Sequence, residues 1–264
     1  LFMTPSVLLW TSGLIKEAFL FYAIGLLLFQ VECWQHRAGK PVLRILAVIL
    51  AVFVLLTIKA YVFFLFAPVI LSPLVSSLFP LAKQRLVAAL VFVAWLVLLA
   101  GLAPAITGAT LPDLLSAKRD EFIRLATEVK AGSIIPMQPM EPGWLGLLVE
   151  CPGALFRALF YPMPNQVSGL LGWMSVLENL IVLFFMLWMM VQARHSGNRP
   201  GAAALVALLF ALALMLLASL VTPVIGALVR YRVPALPFLL FYFASYAKSG
   251  FLDLPNRLKA PVSR

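Results

Sequence analysis

The sequence predicts an all-α integral membrane protein, a bundle of about seven transmembrane helices with a helical, Pro-rich cap on the extracytoplasmic face. Of the 264 residues, 63% are hydrophobic and 11% are charged, whereas a soluble domain is about half apolar and about a quarter charged. The apolar stretches run far beyond the segments of about ten alternating residues that form membrane barrels. Helices, which satisfy their own backbone hydrogen bonds in lipid, are the remaining way to cross a membrane.

The individual spans follow from apolar stretches of about 17 to 25 residues, cut at charges, Pro and Gly. The stretch at residues 43–79 would form a helix of about 55 Å, which is too long for a hydrocarbon core of about 30 Å. Apart from Arg44 at its start, its only charge is Lys59, so we predict that the chain turns back at residues 57–59. The predicted spans are residues 14–29, 43–56, 60–79, 86–102, 170–192, 202–221 and 233–247.

The only sizeable polar region, residues 103–169, is predicted to form the cap. Asp113 is a candidate N-cap of an amphipathic helix that stops at Gly132. This helix is predicted either to lie in the outer leaflet or to pack over the loops of the bundle. Prolines follow, and a second short helix is predicted from Pro152 to Tyr161. The chain is thereby divided into residues 1–102 with spans 1 to 4, the cap, residues 170–247 with spans 5 to 7, and a cytoplasmic tail at 248–264.

The net charge of +10 is explained by membrane orientation. The loops after spans 1, 3 and 5 and the tail hold eleven basic residues and two acids, whereas the cap holds five basic residues and six acids. By the positive-inside rule, the N-terminus and the cap lie outside and the C-terminus is cytoplasmic. The basic excess therefore predicts no nucleic-acid partner. Contact between the basic loops and anionic membrane lipid is the alternative use of this charge.

Ionisable residues within or beside the spans are the candidate functional residues, because such groups are costly in a membrane and usually face a cavity or a partner. Those that lie in the predicted extracytoplasmic half are the candidates: Lys16, Glu17, Lys59, Tyr61, Glu178, Arg230, Tyr231 and Arg232. Converging Lys and Arg side chains are suited to an anionic ligand with a lipid tail. The alternative is that the cations extend to the interface and the acid is a structural partner for one of them.

Glu178 gives the most specific physical expectation. It lies about two turns inside span 5, where an isolated carboxylate would be desolvated. We therefore predict that it is ionised and paired with a cation from another span, Arg230 or Lys59. No motif of a hydrolase, zinc protease or nucleotide-binding loop is present, so no metal site or cofactor is predicted, with a divalent cation left open.

Several stretches together resemble a known group of bacterial membrane proteins. They are residues 5–17, which include Trp10-Thr11-Ser12-Gly13 and Lys16-Glu17, then Lys59-Ala60-Tyr61, Ala131-Gly132-Ser133, Leu177-Glu178-Asn179, and residues 222–234, which include Arg230-Tyr231-Arg232. The chain resembles the later portion of proteins similar to C-type polyprenyl-phosphate-sugar glycosyltransferases and to exopolysaccharide or O-antigen polymerases.

The resemblance implies an enzyme of the bacterial inner membrane that uses a polyprenyl-phosphate-linked or polyprenyl-pyrophosphate-linked sugar at the outer face. On chemical grounds, we expect Arg230, Arg232 and Lys59 to hold the phosphate and Lys16 and Glu17 to orient the donor. Tyr61 is a further candidate, and Glu178 is expected either to hold Arg230 in place or to line the acceptor cavity. In that family the catalytic acid lies in the first outer loop, and no residue here matches it, so the catalytic residue stays unassigned. The alternative is a non-catalytic subunit of a membrane complex, whose partners would pack on Phe184-Phe185, Trp188 and the Ala-rich sixth span.

Overall fold

A computed structural model describes residues 16–35, 40–167, 169–196 and 200–246. Seven helices of the described residues are long and apolar enough to cross a membrane; this count takes α2 as one helix and α8 with α9 as one, and it includes α5, which the sequence places in the cap. The predicted all-α membrane bundle is therefore confirmed. The helices are α1 (Lys16–Gln35), α2 (Pro41–Ser76), α3 (Leu81–Thr107), α4 (Leu111–Glu128), α5 (Gly143–Phe160), α6 (Gly169–Ser196), α7 (Ala202–Val221), α8 (Ile225–Arg232) and α9 (Leu236–Ala244), with 3₁₀ turns at Pro164–Gln166 and Val233–Ala235.

The segment α2 consists of two helices that meet at Lys59, where the chain reverses its direction. The backbone of Lys59 is extended, with φ −151° and ψ 81°, so the two halves on either side of it form separate helices. Arg44 donates a hydrogen bond to the carbonyl of Cys33 at the end of α1, whereas Lys59 contacts Glu17 at the start of α1. Further along, Pro73 lines the same cavity as residues 28–32 of α1. Both halves therefore run alongside α1, and the chain turns back where the length of the apolar stretch predicts.

These contacts define two ends of the bundle. The Glu17 end contains the start of α1, the Lys59 turn and the end of α8, and the Cys33 end contains the end of α1 and both termini of α2. Helix α7 runs towards the Glu17 end, because Ala203 near its start lines a cavity with α1 while α8, which follows α7, reaches Glu17.

The core is built around α7. Of its 20 residues, 11 are buried, and it packs on α2, α3, α5 and α9. Three aromatic rings interlock edge to face at its centre, with centroid distances of 5.5 Å for Phe66–Phe210, 5.9 Å for Phe66–Phe238 and 4.8 Å for Phe210–Phe238. The Ala-rich sixth span therefore packs within its own chain, which corrects its sequence-based assignment as a surface for partner helices.

The cap differs from its prediction at its second helix. Helix α5 begins at Gly143 and continues through Pro152, where the sequence predicts only a start at that proline. The reason is packing: Leu147, Ala154 and Ala158 form a buried face on α5, and the first two of these residues lie against Leu220 and neighbouring residues of α7. Burying this face compensates for the hydrogen bond that a proline removes inside a helix.

The first helix of the cap is confirmed, with shifted bounds. Helix α4 begins at Leu111, so Asp113 lies in its first turn, where it accepts a hydrogen bond from the hydroxyl of Thr110 rather than capping the helix. Between the two expected positions, the structure favours packing on the bundle, because α4 contacts α7 and α5. Backbone hydrogen bonds from Ile135 to Pro223 and from Ile225 to Ser133 then join the cap to the bend between α7 and α8.

The reversal at Lys59 can be tested by thiol labelling from each side of the membrane. With Cys151 replaced by serine, Cys33 and a cysteine introduced at Leu78 are expected to be labelled from the same side, because both lie at the Cys33 end. A cysteine introduced at Ser133 should be labelled from the opposite side. Labelling of Leu78→Cys together with Ser133→Cys would contradict the reversal, since a straight α2 would place residues 33 and 78 on opposite sides.

Candidate functional site

Glu17 is the central residue of the Glu17 end. It lies in the first turn of α1, and its side chain is fully buried, with 0% exposure. The Arg230 guanidinium binds it through two parallel hydrogen bonds, Nε to Oε1 at 2.6 Å and Nη2 to Oε2 at 3.1 Å. This fork geometry is the strongest arrangement available to an Arg and a carboxylate, and it fixes the direction of both side chains.

Lys59 is the second cation on the same carboxylate. Its Nζ lies 3.3 Å from Oε1 of Glu17 and 4.7 Å from the centre of the Tyr231 ring. The extended backbone of Lys59 brings this side chain to Glu17 at the point where α2 reverses. The turn therefore positions a charge as well as reversing the chain.

We name Glu17, Lys59 and Arg230 the Glu17 cluster. It joins three helices that are distant in the sequence, and its formal charges leave one positive charge in excess. Arg230 is the most accessible member, with a side chain that is 33% exposed, compared with 10% for Lys59 and 0% for Glu17. The excess charge therefore lies on the side that faces away from the core, as an anion-binding site requires.

The other candidates on this end surround the cluster without joining its hydrogen bonds in the described residues. Lys16 is exposed at the first residue of α1, where its charge acts on Lys59. Tyr61 lies near Glu17, Arg230 and Tyr231. The structure therefore brings Lys16, Glu17, Lys59, Tyr61 and Arg230 to one place.

Arg232 lies elsewhere, in the interior. Its side chain is 2% exposed, and Nη1 donates to the carbonyl of Tyr161 at 2.6 Å and to that of Ala158 at 3.3 Å. Carbonyls at the end of a helix lack intrahelical partners, and a cation there is favourable. Arg232 therefore holds the end of α5 against the bundle, and it does not accompany Arg230 at the exposed side of the cluster.

Glu178 is buried on α6, with 2% exposure, and it lies within electrostatic range of the Arg232 guanidinium. Arg230 and Lys59 instead bind Glu17. The reason is helix geometry, since side chains two residues apart on a helix point about 200° apart. Arg230 and Arg232 consequently face different elements.

A second group of charges, in the cap, was not singled out from the sequence. Arg119 of α4 and Arg157 of α5 share one carboxylate oxygen of Glu150, at 3.2 Å and 3.5 Å. Glu150 and Arg157 are seven residues apart, so they lie on one face of a helix. This spacing could have predicted the pair from the sequence. The prediction requires a helix that is continuous from Gly143, whereas the sequence predicts a helix that starts only at Pro152.

Within the described ranges, no group of three or more His, Cys, Asp or Glu side chains is placed to bind a metal ion. No protein-family model, curated protein or solved structure matches the chain. Evidence about its function therefore comes from the geometry of the Glu17 end and from the sequence stretches that converge there.

Proposed function

We propose that this chain is a glycosyltransferase or polysaccharide polymerase that binds a polyprenyl-phosphate-linked or polyprenyl-pyrophosphate-linked sugar at the Glu17 cluster. In this proposal the Glu17 end and the cap face the outside of the bacterial inner membrane, and the C-terminus is cytoplasmic. The observation that supports it is the excess positive charge on the partly exposed Arg230, held in fixed geometry by a buried carboxylate. An oriented guanidinium at headgroup depth suits a phosphate oxygen.

Glycosyl transfer from a lipid phosphate requires a positively charged group beside the leaving phosphate. In glycosyl transfer, the bond between the anomeric carbon and the phosphate oxygen breaks, and its electron pair leaves with the lipid phosphate. An acceptor hydroxyl forms the new bond to the anomeric carbon and loses its proton to a base, a residue that we do not assign. Arg230 and Lys59 would stabilise the negative charge that grows on the leaving phosphate. Glu17 would keep both cations aligned before the reaction, so that little reorganisation is needed.

The test is a neutral cluster, in which Glu17→Gln, Lys59→Met and Arg230→Met are combined. Removing all three charges avoids leaving any one of them buried and unpaired, so the protein should still fold. Glycan product per folded protein is expected to fall by a factor of about 100, the scale of losing one oriented donor to a developing charge. Lys118→Gln, on the exposed face of α4, is the matched control and should retain full product.

Product at the wild-type level from the neutral cluster would overturn the proposal. Arg230→Lys is a second test, because it keeps the positive charge and removes the paired hydrogen bonds of the guanidinium. We expect its product to lie between that of the wild type and that of the neutral cluster.

One observation favours the second candidate, a non-catalytic subunit that binds partner helices. Helix α6 lies at the edge of the bundle and contacts chiefly α9, and it exposes Phe184 and Trp188. Purification in mild detergent separates the two candidates. A stable stoichiometric partner favours the subunit, whereas a lone chain with bound polyprenyl lipid favours the enzyme.

A further inference from the structure

An apolar furrow of about 490 Å³ lies between α1, the second half of α2, α7 and α9. Its lining is apolar except for Glu32 at one end. Leu28, Leu74 and Phe241 of this lining are exposed, so the furrow opens towards the surroundings of the bundle. Its volume is in the range of small-molecule binding sites, about 300 to 1,000 Å³.

The furrow continues the face of α1 that holds Glu17. Phe21, Ile24 and Leu28 line it, and these positions lie 4, 7 and 11 residues after Glu17, which places all four on one side of the helix. The furrow therefore begins about one helical turn below the Glu17 cluster. From Phe21 to Glu32 it extends along α1 for about 16 Å.

We infer that this furrow binds the isoprenoid tail of the lipid whose phosphate lies at the Glu17 cluster. The inference rests on the proposed function for the phosphate end and adds the site for the hydrocarbon end. The lining offers a tail only apolar contacts, while the cluster at its head offers a positive charge, so the two ends are complementary to the two ends of a lipid phosphate.

The length of the furrow favours a polyprenyl chain over the acyl chain of a phospholipid. Glu32 lies about 22 Å along α1 from Glu17, and half of a hydrocarbon core is about 15 Å. A tail whose phosphate is at Glu17 must therefore pass the middle of the membrane to fill the furrow. A polyprenyl chain exceeds the depth of one leaflet, whereas the acyl chain of a phospholipid is matched to it.

Gly25 provides a precise way to block the furrow. It lies in the lining, and a Cβ added at this position meets nothing within 4 Å, so Gly25→Leu places its side chain in the furrow without a backbone clash. Gly101 is a matched control. It is also a helical glycine whose Cβ would meet nothing within 4 Å, but it lies on α3, outside the furrow.

The experiment measures binding of undecaprenyl phosphate and of undecaprenol, which lacks the phosphate, to the purified full chain in detergent by native mass spectrometry. Gly25→Leu is expected to weaken both ligands about tenfold or more, the effect of losing the burial of about two methylene groups. Gly101→Leu should bind both like the wild type. The neutral cluster should weaken the phosphate and leave undecaprenol unchanged.

Unchanged binding of both ligands by Gly25→Leu would overturn the furrow as the tail site. Equal competition by a phospholipid with two C16 chains would also overturn it, because it would assign the furrow to ordinary membrane lipid. If Gly25→Leu weakens undecaprenol while the neutral cluster still binds undecaprenyl phosphate fully, the tail site stands and the phosphate site at Glu17 fails. These readouts do not involve glycan synthesis, so a failure of the proposed reaction is a separate result.

Discussion

Replacing Glu17 with leucine is expected to leave little folded protein in the membrane. The substitution removes the one carboxylate that Arg230 and Lys59 share, while both cations stay at a largely buried position. Breaking a buried ion pair in this way costs about 3 to 5 kcal/mol. Since a whole domain is stable by only about 5 to 15 kcal/mol, this is a large fraction of the total. The measurement is the midpoint of thermal unfolding in detergent, together with the fraction of protein that elutes as a single species.

A double-mutant cycle identifies the partner. Glu17→Gln and Arg230→Gln should each destabilise the protein, and the two together should cost less than the sum of their separate effects. Glu121→Gln, which removes an exposed partner of Lys118, is the control and should change stability by less than about 1 kcal/mol. Strictly additive effects of Glu17→Gln and Arg230→Gln would contradict the pairing seen in the structure.

The reversal of α2 could be predicted because it follows from lengths alone. An apolar stretch that exceeds the membrane thickness must turn, and the one charge far from its ends, Lys59, indicates the position of the turn. The continuity of α5 could not be predicted in the same way. A proline inside a short apolar stretch indicates a helix start, and only the contact with α7 shows that burial outweighs this local preference.

Most residues of the candidate site could be predicted, but the separate position of Arg232 and Glu178 and the pairing of the charges could not. Ionisable groups in apolar stretches are easily recognised in the sequence. The position of each residue along its predicted span indicates that Glu17, Lys59 and Arg230 lie at the same end of the bundle. Which carboxylate meets which cation depends on how each helix is rotated about its own axis. Since Arg230 and Arg232 point about 200° apart, an error in that rotation assigns the wrong one to Glu178.

The sequence stretches that carry the family resemblance contain residues that contact one another in the structure. Glu17, Lys59 and Arg230 come from three of them and form one cluster. A fourth stretch ends at Ser133, whose carbonyl accepts a hydrogen bond from Ile225. The fifth contains Glu178, which lies within electrostatic range of Arg232. The described residues of these stretches therefore meet at one end of the bundle, whereas residues 5–15 of the first stretch lie outside the described residues.

Replacing Arg232 with glutamine is expected to loosen α5 from the bundle. The Ala158 and Tyr161 carbonyls would lose their charged donor. Losing a buried charged partner costs about 3 to 5 kcal/mol, and the cost should be concentrated at the contact between α5 and the bundle.

The two natural cysteines report this loosening directly. Cys151 lies on α5 and Cys33 lies at the far end of α1, and both are partly buried. In Arg232→Gln, the rate at which a thiol reagent labels Cys151 in the purified protein should rise about tenfold or more, while the rate for Cys33 stays unchanged. Lys118→Gln should alter neither rate. Equal acceleration at both cysteines would indicate global unfolding, and unchanged labelling of Cys151 would show that Arg232 does not hold α5 in place.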